Sequence, residues 1–214
     1  MKSKFYRIVR NILLRFPVQR TFFLKTIGRS DVLRWGDPQS LSQDWDSRTI
    51  ELSKFIPINS TILEFGAGRA ILRNHVPPGC EYTPADLVAR SNDSLVIDIN
   101  SDDWPTLQKY DVVVFSGVLE YVHDLPLLFA KLIPVCNFIV CSYASTDYDA
   151  QRSTHIRRHH GWVNDLTAIE FVSMLNSAGY TCVSRGAWNS QELYLFQRES
   201  AEGSSGNNQQ CEGR

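Results

Sequence analysis

The feature that most constrains this chain is a short apolar run that ends near an acid and is followed by two glycines, Thr61-Ile62-Leu63-Glu64-Phe65-Gly66-Ala67-Gly68. The run predicts a buried β-strand, because turn signals bound it. Glycine has no Cβ, so Gly66 and Gly68 allow a sharp turn and a close approach of the backbone to a ligand. Residues 69–75 can begin a helix. The stretch therefore predicts a strand, a turn and a helix, the usual cradle for a nucleotide-like ligand in a doubly wound sheet.

The residues after the glycines argue against two common nucleotide-binding motifs. A dinucleotide fingerprint requires a third glycine three positions after Gly68, and the chain has Ile71 there. A P-loop requires a Lys-Ser or Lys-Thr pair, which does not follow Gly68. A nicotinamide-dependent enzyme is therefore a rival interpretation that Ile71 opposes.

Further polar residues fall at the ends of predicted strands. Asp86 ends a short strand and lies 18 residues (86 − 68) after Gly68. At this distance an acid binds a ribose diol in dinucleotide folds, and a helix N-cap is the alternative. Asp98 falls in a predicted third strand over residues 95–100. The apolar strand 110–115 runs into Ser116 and Gly117, and its unbroken apolar character indicates that helices cover both faces.

Two segments together resemble a known family. Leu63 to Gly68 resembles the first motif of class I S-adenosylmethionine (SAM)-dependent methyltransferases, with Glu64 replacing the commoner Asp. Residues 116–124, Ser-Gly-Val-Leu-Glu-Tyr-Val-His-Asp, resemble the segment that follows the fourth strand in that family, particularly in small methyltransferase domains of types 11 and 23. The resemblance covers about residues 45–198. It implies a cofactor site formed by Glu64, Gly66, Ala67, Gly68, Asp86, Leu87, Asp98, Ile99, Ser116 and Gly117.

The resemblance also implies the fold. We expect a Rossmann-like α/β sheet of seven mostly parallel strands with an antiparallel last strand. The domain should span residues 41–198, between an N-terminal extension over residues 1–40 and a disordered, polar tail over residues 199–214. We expect a final hairpin from segments 181–184 and 193–196. A helix over residues 168–178 should be capped by Thr167 or Asp165. The polar stretch 144–160 should be an irregular insertion beside the ligand crevice.

Catalytic and acceptor-binding residues are less well defined. A hydroxyl or amine acceptor requires a proton acceptor, and His123 is the first candidate because its segment borders the methyl site. The others are His159, His160 and Tyr121, and a structural role is the alternative for each. Acceptor contacts are expected from Arg48, Trp45, Arg157, Arg158 and Trp162. Trp45 in the core and Arg48 on the surface are equally compatible with the pattern.

The N-terminus carries a charge asymmetry that the net charge of −1 conceals. Residues 1–30 contain eight basic side chains and no acid, so the remainder carries a net charge of about −9 (−1 minus 8). Residues 4–16 show the spacing of a basic amphipathic helix. The helix could pack on its own domain or a neighbouring subunit, contact an anionic membrane surface as a peripheral protein, or be a targeting or disordered segment. The chain as a whole is not a basic nucleic-acid binder.

The cysteines and histidines indicate no metal site. The five cysteines form no CxxC pair, and the histidines lack zinc-site spacing. Buried free thiols in a reducing cytoplasm are expected. No apolar run is long enough to span a membrane. The sequence therefore predicts a cytoplasmic enzyme that transfers a methyl group from SAM to a small-molecule oxygen or nitrogen acceptor. The alternative is a catalytically silent SAM-binding or scaffold module.

Overall fold

The computed structural model describes residues 15–148 and 152–199, and these residues form a seven-stranded sheet flanked by helices. The strands are β1 (Thr61–Phe65), β2 (Glu81–Asp86), β3 (Leu95–Val96), β4 (Tyr110–Phe115), β5 (Cys136–Tyr143), β6 (Tyr180–Trp188) and β7 (Gln191–Arg198). The α-helices in these ranges are α1 (Pro17–Thr26), α2 (Val32–Trp35), α3 (Asp46–Ser53), α4 (Leu125–Leu132), α5 (Thr154–His160) and α6 (Ala168–Ser177). Short 3-10 turns occupy Pro38–Ser40, Gln43–Trp45, Ile71–Asn74 and Leu119–Tyr121.

The strand order is β3-β2-β1-β4-β5-β7-β6. β1 pairs in parallel with β2 and β4, and β4 pairs in parallel with β5. β7 is antiparallel to both of its neighbours. The predicted Rossmann-like sheet is confirmed, including its antiparallel end. The final hairpin is longer than the predicted segments, because pairing continues to Trp188 and Gln191 on either side of a two-residue turn.

The apolar strands bury both faces of the sheet. On one face Phe65 and Phe115 stack with their centroids 5.3 Å apart, in a cluster that includes Phe129 of α4 and Phe171 of α6. On the other face, Leu52 of α3 belongs to the second cluster of buried apolar residues. Burial on both faces explains why β1 and β4 read as unbroken apolar runs.

The strand register aligns the residues that matter for function. Phe65 lies opposite Ala85 of β2 and Phe115 of β4. The residues that follow these three positions therefore emerge together at the carboxyl edge of the sheet. This edge is where α/β folds of this kind bind ligands.

Two predicted elements are shorter than expected. The helix that residues 69–75 could begin is only the 3-10 turn Ile71–Asn74. Ala70 adopts a left-handed φ of +53° before it, and Pro77 disfavours helical geometry at the preceding residue. The third strand is limited to Leu95–Val96, so Asp98 lies in the loop after β3.

The expectation of an irregular segment over residues 144–160 is corrected in part, because α5 lies within it. Ser153 caps this helix, its Oγ accepting a hydrogen bond from the Ile156 backbone N–H. The helix is rich in basic residues and lacks an apolar stripe, so its sequence gives little periodic signal. The helix predicted over residues 168–178 is confirmed. Thr167 and Glu170 form its capping box, whereas Asp165 makes ion pairs instead.

Several expectations concern residues outside the described ranges. The predicted amphipathic helix over residues 4–16 and the predicted tail from residue 199 lie almost wholly there. Cys80, Cys136 and Cys141 are free thiols, as expected for these three cysteines. Within residues 15–148 and 152–199, no helix combines the length and apolar character needed to cross a bilayer.

Candidate functional site

The glycine turn after β1 is fixed by contacts with β2 and β4. Gly66 and Gly68 have φ values of +66° and +53°, which favour glycine. The Gly68 backbone N–H donates to Asp86 Oδ2 at 2.8 Å. A Cβ on Gly66 would lie 2.5 Å from Val118 Cγ2, so a side chain there would require Val118 to move. The turn therefore depends on glycine for both conformation and space.

A cavity of about 440 Å³ opens at this edge of the sheet. Its size is typical of a site for a small molecule or cofactor. Nine of the ten predicted cofactor residues line it: Glu64, Gly66, Ala67, Gly68, Asp86, Leu87, Ile99, Ser116 and Gly117. The tenth, Asp98, does not.

Glu64 contributes a buried carboxyl group to the cavity wall. Its side chain is 2% exposed, and Tyr82 Oη donates a hydrogen bond of 2.5 Å to Oε2. Burial raises the pKa of Glu64 to about 8, against the opposing effect of the Tyr82 hydrogen bond. The carboxyl is therefore largely protonated at neutral pH, and a cationic ligand group beside it would favour its ionisation.

Asp86 lies at the end of β2, as predicted. Besides the Gly68 N–H, its Oδ2 accepts a hydrogen bond from Arg90 Nε at 3.0 Å. Arg90 in turn donates to the Trp35 carbonyl oxygen. The carboxylate thus links the glycine turn to the N-terminal segment while it lines the cavity.

The Asp98 carboxylate accepts hydrogen bonds from the N-terminal segment and from its own loop. Its Oδ1 accepts hydrogen bonds from Ser30 Oγ at 2.5 Å and from the Asn100 backbone N–H at 3.0 Å. Asp98 is therefore the one predicted cofactor residue that does not line the cavity. The physical reason is the early end of β3, which leaves Asp98 in a loop that packs on residue 30.

Arg48 of α3 lies buried beside the end of β4. Its Nε donates to Ser116 Oγ at 3.2 Å, and its Nη2 donates to the Ser116 carbonyl oxygen at 3.1 Å. Nη1 donates to Gln191 Oε1 at 3.2 Å. A Cβ on Gly117 would lie 2.3 Å from Nη1, so the absence of a side chain there makes room for the guanidinium. Arg48 therefore lines the cavity, which agrees with its predicted contact with an acceptor and not with a place on the surface.

Gln191 connects Arg48 to a second buried carboxyl group. Glu120 Oε1 accepts hydrogen bonds from the Ala144 backbone N–H at 2.9 Å and from Gln191 Nε2 at 3.3 Å. Glu120 Oε2 is buried and has no hydrogen-bond partner among the described residues. Burial raises the pKa of Glu120. A buried polar chain therefore runs from the cavity to β5.

Three of the four predicted catalytic residues line the cavity. Burial lowers the pKa of His123 and of His160, which leaves both imidazoles neutral and able to accept a proton at pH 7. Burial, and then the charge of Glu120, raises the pKa of Tyr121 to about 12. The Tyr121 hydroxyl therefore keeps its proton at neutral pH, so it can donate a hydrogen bond but does not act as a general base. His159 does not line the cavity.

Arg157 and Arg158 also lie off the cavity, so their predicted contact with an acceptor anion is corrected. Arg157 Nε pairs with Asp165 Oδ1 at 2.8 Å, and its Nη1 donates to the Ala144 carbonyl oxygen at 2.8 Å. Arg158 pairs with the other Asp165 oxygen and donates to the Trp162 carbonyl oxygen. Both guanidiniums are buried and hold the loop after α5. Trp45 and Trp162 do line the cavity.

Sequence reasoning missed two groups of cavity residues. The N-terminal segment contributes Thr21, Leu24, Arg29, Ser30, Asp31, Arg34 and Trp35, and the β6–β7 turn contributes Trp188, Asn189, Ser190 and Gln191. The segment is attached by long-range contacts, including a hydrogen bond from Thr21 Oγ1 to the Arg158 carbonyl oxygen at 2.8 Å. No local motif signals such contacts, because they depend on how distant parts of the chain pack.

A family model for a methyltransferase domain matches residues 39–185, more than half of the chain. The chain belongs to this family. The predicted resemblance to class I SAM-dependent methyltransferases is thereby confirmed, and SAM is the cofactor of that class. No curated protein sequence matches the chain significantly.

Solved methyltransferase structures share the fold at low sequence identity. The Burkholderia thailandensis 1,6-didemethyltoxoflavin-N1-methyltransferase, with 1,6-didemethyltoxoflavin and S-adenosylhomocysteine bound, is 14% identical to this chain with a TM-score of 0.56. The match covers 94% of this chain and 91% of that one. Human N-acetylserotonin methyltransferase with SAM is 14% identical, with a TM-score of 0.59 over 78% of this chain and 56% of that one. A methyltransferase complex with the Haloferax volcanii Trm112 activator gives a TM-score of 0.63 at 13% identity, over 80% and 99% of the two chains.

The site fits the cofactor of this methyltransferase family. A glycine turn provides close backbone approach, and Glu64 and Asp86 provide two buried carboxyl groups in one cavity. In residues 15–148 and 152–199, no group of three or more His, Cys, Asp or Glu side chains is arranged to hold a metal ion.

Proposed function

We propose that this chain transfers the methyl group of SAM to an oxygen or nitrogen atom of a small molecule. The observation that carries the proposal is the convergence of the glycine turn, Glu64, Asp86 and Ser116 on one cavity. SAM supplies a methyl group on a sulfonium, which is reactive enough for direct displacement by a nucleophile. The protein's task is to bind and align the two reactants.

Each part of the cavity suits one part of the cofactor. Asp86 is placed to accept hydrogen bonds from the ribose hydroxyls, as acids at this strand end do in related sheets. Glu64 lies where it would face the ammonium group of the cofactor's amino-acid portion. Arg48 suits a carboxylate of the cofactor or the acceptor. Ser116 is a small residue at the end of β4 that leaves room for the methyl group, and Gly117 makes room for the Arg48 guanidinium.

A proton acceptor is available beside this space. His123 lines the cavity, and its buried Nδ1 has no hydrogen-bond partner among the described residues. A neutral imidazole in this position can remove the proton of a hydroxyl or amine during transfer. His160 is the second candidate, whereas the high pKa of Tyr121 makes it a hydrogen-bond donor.

A small-molecule acceptor is supported by two observations. The cavity volume of about 440 Å³ is in the range of sites for small ligands. Two structurally similar proteins are named as methyltransferases of 1,6-didemethyltoxoflavin and of N-acetylserotonin. The cytoplasmic location stays a prediction.

The rival is a module that binds SAM without catalysis. Calorimetric titration with SAM and S-adenosylhomocysteine tests binding, and transfer of label from methyl-labelled SAM into small-molecule extract fractions tests catalysis. Asp86→Ala should weaken cofactor binding at least tenfold and abolish labelling, since it removes the ribose contact and the partner of the Gly68 N–H. Asp103→Ala, at an exposed acid off the cavity, is the control. Tight binding without label in any fraction would favour the silent module, and absence of binding would overturn both.

We also propose that the N-terminal segment contacts anionic membranes. Phe16, Phe23 and Ile27 are 53%, 54% and 48% exposed and recur at helical spacing along the outer face of α1. Residues 1–30 carry eight basic side chains and no acid, and Arg15, Lys25 and Arg29 are exposed on the described part of this segment. Phe23→Ser with Ile27→Ser should reduce sedimentation with anionic vesicles. Ile169→Ser, which removes an isoleucine that is 74% exposed on α6, should not. Equal sedimentation of all three proteins would refute the proposal.

A further inference from the structure

We infer that the methyl acceptor is a planar aromatic molecule that stacks on a row of aromatic side chains in the cavity. This inference rests on the proposed function and supplies the acceptor class that the proposal leaves open. The row, here called the aromatic wall, consists of Tyr121, Trp35, Trp45 and Trp188, all of which line the cavity. They come from four separate segments of the chain, so no single motif creates the wall.

The rings form a continuous series. Tyr121 contacts Trp35 edge-on, with centroids 5.0 Å apart, and the Trp35 and Trp45 centroids are 6.1 Å apart. The Arg48 guanidinium carbon lies 5.9 Å from the Trp45 centroid and 5.5 Å from the Trp188 centroid. The planar cation therefore connects the last two rings. Such spacings are those at which aromatic and cation–π pairs attract.

The aromatic wall differs from the aromatic core. Its four rings are only partly buried, whereas Phe65, Phe115 and Phe171 have almost no accessible surface. Of the two other tryptophans, Trp162 lines the cavity but is only 6% exposed, and Trp104 packs on Phe65 and does not line the cavity. The Arg34 guanidinium carbon lies 5.1 Å from the Trp35 centroid, so a ligand would stack on the opposite face of that ring. Flat ligands gain most from large rings that keep accessible surface in a concave site.

Arg48 gives one end of the aromatic wall a positive charge. Its hydrogen bonds go to neutral oxygens of Ser116 and Gln191, and no carboxylate within the described residues lies at salt-bridge distance from it. A buried cation flanked by rings favours an electron-rich or anionic group nearby. The wall therefore suits a ring that carries oxygen substituents, the kind of molecule whose hydroxyl group accepts a methyl group.

The experiment compares two probes that share a carbon skeleton, 2-naphthol and its saturated analogue 2-decalol. Each is titrated calorimetrically into protein that has been saturated with S-adenosylhomocysteine. The planar probe should bind at least tenfold more tightly than the puckered one. Trp35→Leu and Trp188→Leu should each weaken 2-naphthol binding about 2- to 13-fold, which corresponds to the loss of one stacking contact. The matched control Trp104→Leu should leave the affinity unchanged.

The outcomes separate this inference from the proposed function. If S-adenosylhomocysteine does not bind, the proposed function fails first. If it binds but the two probes have equal affinity, or 2-naphthol does not bind at about 1 mM, the aromatic-acceptor inference is overturned and the cofactor assignment stands. Equal losses in the Trp104→Leu and Trp188→Leu proteins would also overturn it. The comparison of probes on the unaltered protein decides the matter even where a variant folds poorly.

Discussion

Replacing Glu64 by Gln should change how the stability of the protein, measured without added cofactor, depends on pH. Burial raises the pKa of this carboxyl from 4.5 to about 8, so the folded protein binds the proton more tightly than the unfolded chain does. The stabilisation is therefore complete below about pH 4.5 and is lost progressively as the pH rises towards 8. One pKa unit corresponds to about 1.4 kcal/mol, so the total loss is up to about 5 kcal/mol, of which about 3 kcal/mol is reached by pH 7.

Glutamine has nearly the same shape, still offers an oxygen to Tyr82, and does not titrate. The free energy of unfolding, measured by urea titration between pH 5 and pH 8.5, should thus decline more steeply in the unaltered protein than in Glu64→Gln. Any packing defect in the variant is independent of pH and cancels from the comparison. Two curves that stay parallel within about 0.5 kcal/mol, a difference well below the expected one, would refute the assignment of a raised pKa to Glu64.

The same reasoning extends to the cofactor under the proposed function. A ligand ammonium group next to Glu64 favours the carboxylate, so binding of SAM at pH 7 should release close to one proton. Calorimetry in buffers with different ionisation enthalpies measures this number directly. Glu64→Gln should release none from this site. Identical proton release by both proteins would place the ammonium group elsewhere in the cavity.

Three further predictions follow from the contacts of the site. His123→Gln should lower kcat about 10²- to 10⁴-fold and remove the acidic limb of the pH–rate profile, whereas His159→Gln should leave both unchanged. Gly117→Ala should weaken cofactor or acceptor binding, measured by calorimetry, because its Cβ would occupy the place of the Arg48 guanidinium. Asp165→Asn should destabilise the fold by about 1.5–3 kcal/mol in urea titrations, since it removes the charge of a partly exposed carboxylate that pairs with two buried guanidiniums. A loss below about 1 kcal/mol, the usual value of an exposed pair, would contradict this prediction.

The cofactor half of the site could be predicted because local patterns encode it. The apolar run before Gly66 specifies a buried strand, and the parallel register then places Asp86 and Ser116 beside the turn. Those positions follow from strand ends alone. Asp98 is the exception, because its expected place depended on a strand that ends two residues earlier, at Val96.

The acceptor half could not be predicted in the same way. Arg157 and Arg158 look like surface cations in the sequence, yet tertiary packing buries both against Asp165. Trp35 and Trp188 carry no local signal of a ligand site, and they line one cavity only because distant segments fold onto the same edge of the sheet. The roles of these four residues depend on burial and on contacts with distant parts of the chain. The residues next to them in the sequence predict neither.

The cofactor half and the acceptor half of the cavity are held in place by different kinds of contact. The cofactor half rests on strand ends whose backbones are paired within the sheet. The part of the other half that the N-terminal segment forms is attached mainly by side-chain hydrogen bonds, such as Lys25 Nζ to the Val163 carbonyl oxygen at 2.5 Å and Ser30 Oγ to Asp98. Single side-chain hydrogen bonds contribute less than a paired strand does. The N-terminal segment should therefore detach from the cavity at a lower free energy than the strands separate. Its detachment would give SAM and the acceptor a route to the site while the strand-end residues stay in place.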